Sequence, residues 1–140
     1  MLLRKARIMA SQLEYSKLLI AKALDDYAVL KILIEKQEVA DEIIGFHAQQ
    51  VVEKVLKAIL SFKSIEYRKT HDIAELIDII NDNGIDVPES IEETIDLTPF
   101  AVEFRYDFLP AEVKKTEKMS RKKILMLVNT ALEWAKIVVH

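Results

Sequence analysis

The stretch Phe46-His47-Ala48-Gln49-Gln50-Val51-Val52-Glu53-Lys54-Val55-Leu56-Lys57-Ala58 carries the densest set of reactive and hydrogen-bonding groups in the chain. On a helix, residues four apart share a face, so Gln49, Glu53 and Lys57 fall on one stripe and Gln50 and Lys54 on the next. That spacing suits ordinary ion pairs on a wet surface. The same groups could instead face a second subunit or a ligand cleft, where two adjacent amides would hydrogen-bond across the contact and each would need a partner if buried.

Three histidines could exchange protons near neutral pH: His47, His71 and His140. His47 reads as a partly buried residue donating to a neighbour. His71 and Asp72 stand where a helix begins, and both suit the capping of free amides there, with Asp72 also matched to the positive helix end. His140 closes the sequence and reads as frayed. Lys114, Lys115, Lys118, Arg121, Lys122 and Lys123 form a basic cluster not far after Arg105 and Tyr106, with Glu112 and Glu117 as its acidic interruptions. Asp86, Glu89, Glu92, Glu93 and Asp96 form an acidic stretch without a base. As a phosphate strip fed by Arg105, the basic cluster would hold a nucleotide or RNA. As plain surface it would be solvated, or would meet the acidic stretch across a dimer. Lysines at a helix start oppose the helix dipole, a local conflict that weights the binding reading. No Gly-rich phosphate loop, zinc-ligand spacing or Glu-x-x-His pair occurs, so neither metal nor cofactor is expected.

The elements that must position these groups are helical. With 140 residues, 51% hydrophobic and 31% charged, the chain suits one domain around one core. Its 2 Gly and 3 Pro are too few to join many strands. Cys is absent, which excludes disulfides and thiolate chemistry and makes a reducing cytoplasm the expected compartment. The longest uncharged run, Ile43 to Val52, is about half of the roughly 20 residues a membrane span needs. Glu14, Lys17 and Lys22 interrupt what would be a signal-peptide core. The formal charge of −3 argues against coating nucleic acid through the overall field, though not against a local patch.

Apolar spacing predicts a first helix over Leu13 to Glu38, which residues 1–12 could prolong. The run Lys36 to Asp41 and Gly45 mark a break, and a second helix runs from about Asp41 to Phe62. A third starts at Thr70 or His71 and ends at Asn81-Asp82-Asn83-Gly84. Ser90-Ile91-Glu92-Glu93 reads as a capping box opening a fourth helix, with Thr98-Pro99 as a kink or a fresh start before it reaches Tyr106. After a loop from Asp107, a last helix begins between Val113 and Ser120. The apolar faces are broader than one five-helix core needs, which predicts a homodimer.

Taken together, FHAQQVVEKVLKAIL, THDIAELI, FAVEFRYD and the earlier DDYAVLKILIEKQEVADEIIGFHAQQ resemble the HEPN domain family (higher eukaryote and prokaryote nucleotide-binding). The resemblance covers residues 21–138 of a single domain over 1–140, leaving 1–20 as an N-terminal helical extension. It implies an all-α fold, an antiparallel four- to five-helix up-and-down bundle. It also implies a homodimer partnered by a minimal nucleotidyltransferase in a toxin–antitoxin-like pair. Many relatives are metal-independent ribonucleases whose motif is an Arg followed, after four to six residues, by a His, the two acting at the dimer cleft. The matching Arg is Arg105, yet Tyr106-Asp107-Phe108-Leu109-Pro110-Ala111-Glu112 follows without a His. Arg can stabilise a phosphate but cannot shuttle protons. The expectation is therefore a nucleotide- or RNA-associated binding module. Arg105, Tyr106, Lys114, Lys115, Lys118 and Arg121 would hold the ligand, and Gln49, Gln50, Glu53 and Lys57 would face the dimer or cleft. The alternative is a ribonuclease pairing Arg105 with an unorthodox acid–base group, for which His47 and His71 are the places to look.

Overall fold

The computed structural model describes residues 1–105 and 119–140, with the backbone alone described for 102–105. All regular structure among these residues is helical: α1 (Leu2–Leu33), α2 (Asp41–Phe62), α3 (Ile73–Asp82), the single turn α4 (Glu89–Glu92), a 3-10 stretch (Glu93–Leu97), α5 (Thr98–Arg105) and α6 (Arg121–Val138). Helix α2 is the centre of the bundle. Ile44, Ala48, Val51, Val52, Val55, Leu56, Ile59 and Leu60 are fully buried, positions that occupy most of its circumference, because α1, α5, α6 and α3 each cover one side. Helix α1 runs antiparallel to it, tied where Ser16 Oγ donates to the Ala58 carbonyl at 2.7 Å. Helix α6 runs parallel to α2, since Arg121 meets Asp41 at one end and the His140 ring meets Phe62 at the other.

Several boundaries differ from the sequence-based expectation. Helix α1 is unbroken from Leu2 and stops at Leu33, five residues before Glu38. Gly45 interrupts nothing; it lies inside α2 where the Phe100 ring crosses, and a Cβ there would stand 2.2 Å from Phe100 Cδ1. Glycine is present for close approach, which a sequence alone cannot tell from a break. The Ser90–Glu93 capping box does not form. Pro88 is the N-cap of α4 and no side chain caps it, which leaves Ser90 inside the turn. Proline's fixed φ, here −60°, already suits entry into a helix. At Thr98-Pro99 the chain passes from 3-10 to α geometry, and the missing proline N–H falls in a first turn that needs none.

Other local signals act as expected. Asn83 and Gly84 close α3, with Gly84 at φ +82° and the Ile85 N–H bonded back to the Ile80 carbonyl. Ser120 caps α6 by accepting from the Lys123 N–H at 3.1 Å. No helix among the described residues is long and apolar enough to cross a membrane.

Candidate functional site

The Gln-Gln/Glu-Lys stripes of α2 turn inward and form one continuous polar chain. Gln49 is fully buried, and its Nε2 donates to Glu53 Oε1 at 2.9 Å and to the His71 carbonyl at 3.2 Å. Glu53, 5% exposed, also takes the Lys57 ammonium on Oε2 at 3.0 Å and His71 Nδ1 on Oε1 at 2.8 Å. On the neighbouring stripe Gln50 Nε2 donates to Gln49 Oε1 at 2.8 Å, Lys54 Nζ reaches Gln50 Oε1 at 3.3 Å, and the same ammonium pairs with Asp26 of α1. Asp26 in turn stands 3.6 Å from His47 Nδ1, beyond hydrogen-bond range.

Burial alone would push the Glu53 carboxyl upward. The hydrogen bonds from Gln49, His71 and Lys57, with the Lys57 charge, outweigh it and hold the group below its ordinary value. Glu53 is therefore ionised at neutral pH, so His71 Nδ1 must be the donor in their bond. That bond sets the orientation of the imidazole ring. A carboxylate that orients an imidazole in this way is the arrangement a general base uses. The His71 side chain is 40% exposed, so one edge of the pair reaches the surface.

The remaining candidates divide sharply. Asp72 is the N-cap of α3, its Oδ1 accepting from the Ala74 N–H at 3.0 Å, whereas His71 precedes the cap and turns to Glu53 instead. With both amide hydrogens of Gln49 engaged inside the chain, that residue has no donor left for a second subunit. Arg121, expected in the phosphate strip, is engaged within the chain. Its guanidinium donates to the carbonyls of Ile34 (3.0 Å), Lys36 (2.9 Å) and Val39 (2.5 Å) and to Asp41 Oδ1 (3.1 Å), clamping the α1–α2 turn. The rigid fork matches several acceptors that a turn leaves unpaired, so the donors are consumed at home. Lys123 meets Glu93 of the acidic stretch at 3.0 Å within one chain. Arg105 is the last residue of α5; Tyr106, Lys114, Lys115 and Lys118 lie outside the described residues. Among the described residues no group of three His, Asp or Glu could hold a metal ion. Sequence reasoning missed Asp26 and Ser16. Both lie on α1 and gain a role only from packing against α2, for which no spacing within α1 gives a signal.

The family model described as the HEPN domain matches residues 16–138. At 37% identity over 57 residues, the chain is similar to the Methanocaldococcus jannaschii protein named "Putative toxin MJ1304". That stretch is 41% of this chain and 36% of the relative, so the match spans about a third of the relative's length. No solved structure matches.

Proposed function

The chain belongs to the HEPN domain family, and from that membership we propose that it is a nucleotide- or RNA-associated binding module of a two-component, toxin–antitoxin-like system. In this reading the protein acts in the cytoplasm as a homodimer, without a cofactor, and its partner is a minimal nucleotidyltransferase. Residues 1–140 form one HEPN-like domain. Arg105, Tyr106, Lys114, Lys115 and Lys118 take the phosphates of the ligand. The relative named as a toxin supports the toxin-like part of the reading.

The observation that carries the binding role over catalysis is the missing proton-transfer group after Arg105: residues 106–112 contain no His. The test is incubation of the purified protein with single-stranded and structured RNA in the presence of chelator, with Arg105→Ala as control. Retention of intact RNA, together with binding that weakens in the variant, is the expected result. Arg105-dependent cleavage would overturn it.

One observation favours a second reading. Glu53 holds the His71 ring by its Nδ1 at 2.8 Å, and a metal-independent ribonuclease needs an imidazole or a comparable group to take the 2′-hydroxyl proton. If cleavage is found, His71→Gln should abolish it. Glu53→Gln should shift its pH profile, which a purely structural pair would not do.

A further inference from the structure

Helix α1 is longer than the bundle it packs on. Ser16 sits beside Ala58, and α2 ends four residues later at Phe62, so the antiparallel partner of α1 runs out near Gln12. The first three turns, residues 2–12, extend beyond it by about 15 Å at 1.5 Å per residue. Their apolar pattern does not stop there. Ser16, Ala23 and Leu30, buried on the core face, continue at seven-residue steps back to Met9 and Leu2, and the flanking row Tyr27 and Ile20 continues back to Leu13 and Ala6. In the bundle this seam is covered; on the arm Leu2 is 86% and Met9 60% exposed. A seam with unchanged phase and no cover calls for a partner.

The same molecule carries a surface of matching kind. A groove of about 610 Å³ runs between α4 and α6, floored by Ile91 and Trp134 and flanked by Met126 and Ile137, which are 49% and 73% exposed. It follows α6 from Lys122 to Ile137, about 22 Å at the helical rise, long enough for three turns of helix. Charge decides what fills it. The arm carries Arg4, Lys5 and Arg7; the groove is lined by one acid and one base, Glu133 and Lys122, and the exposed Glu89 and Glu92 of α4 adjoin its Pro88, Ser90 and Ile91 wall in the chain. Two arms laid against each other would oppose like charges; an arm laid along the α4 side of the groove meets the Glu89 and Glu92 carboxylates.

We propose that the α4–α6 groove receives the first three turns of α1 from a second copy of this chain. The contact does not depend on nucleotide or RNA. It gives the exposed apolar residues of the arm a burial partner and gives Glu89 and Glu92 a basic counterpart.

Because the chain has no Cys, single cysteines report the contact directly. Met9→Cys and Ile137→Cys are introduced into separate samples, mixed at tens of micromolar, and oxidised or treated with a short bis-maleimide. The expected product is a mixed species of twice 16.1 kDa. Reversing Arg4, Lys5 and Arg7 to Glu in the Met9→Cys protein should slow linking about tenfold, and Glu89, Glu92 and Glu133 to Lys in the other should restore it. All of these residues are exposed, so folding is preserved. Three results would overturn the proposal: no mixed product, Met9→Cys linking to itself as fast as to Ile137→Cys, or linking indifferent to charge reversal. Arm-dependent sedimentation with phosphatidylserine vesicles, without a mixed product, would overturn it in favour of a lipid surface.

Discussion

Glu53 shows how a charge is kept inside a helical bundle. Leaving a buried carboxylate without partners is costly, and here three side chains, two from α2 and one from the segment before α3, donate to it. Glu53→Gln preserves shape but leaves Lys57 and His71 facing an amide. We expect a loss of about 1–3 kcal/mol at pH 7, read from urea unfolding. The pH dependence follows from the lowered folded-state value. A carboxyl whose folded value lies below its unfolded one, about 4.3, contributes stability fully above that pH. The contribution fades as pH falls through the folded value. Unfolding midpoints between pH 7 and pH 3 should therefore drop more steeply in the parent than in Glu53→Gln; parallel curves would show that Glu53 is not the linked group. Lys123 with Glu93 is the contrast. Both side chains are about half exposed, and Lys123→Ala should change stability by less than about 1 kcal/mol.

Between elements, two contacts set how the helices lie. Gly45 lets the Phe100 ring rest on the α2 backbone, so Gly45→Ala must push α5 away. Alanine gains about 1 kcal/mol in helix propensity, while the overlap costs about 1–3, and a net destabilisation is expected. Combining it with Phe100→Leu should cost less than the two changes added, because the shorter side chain removes the clash; strict additivity in thermal or urea unfolding would refute the contact. Arg121 acts at the same end of α2 by bonding three carbonyls and Asp41 where α1 turns into α2. Arg121→Lys keeps the charge but loses the fork. Its expected cost is about 2–3 kcal/mol, without the change in RNA affinity that a phosphate ligand would show. Helix periods were enough to place the long helices in their chain order. They could not reveal that Gly45 is a crossing point or Arg121 a clamp, since each meaning depends on a residue 55 or more positions away.

For the whole molecule, the expectations concern assembly and ligand. Sedimentation at micromolar concentration should give a species of twice the 16.1 kDa chain mass, and a monomer would remove the dimer from the proposal. Nucleotides at millimolar concentration should raise the melting temperature of the parent more than that of Arg105→Ala, as binding to the folded state alone requires. Equal shifts would place the ligand elsewhere.

Composition and apolar spacing by themselves determined a helical bundle, and the quoted motifs pointed to its family. These are local properties: periodicity and capping depend on residues within a few positions of one another. Tertiary structure alone decided the direction the α2 polar stripes face, the Glu53 partner of His71, the Asp26 partner of Lys54 and the home of Arg121. Gln49 and Glu53 have the same spacing on a wet face as on a buried one. Only the placement of α1 and α3 against α2 removes the water and makes the hydrogen bonds between them necessary.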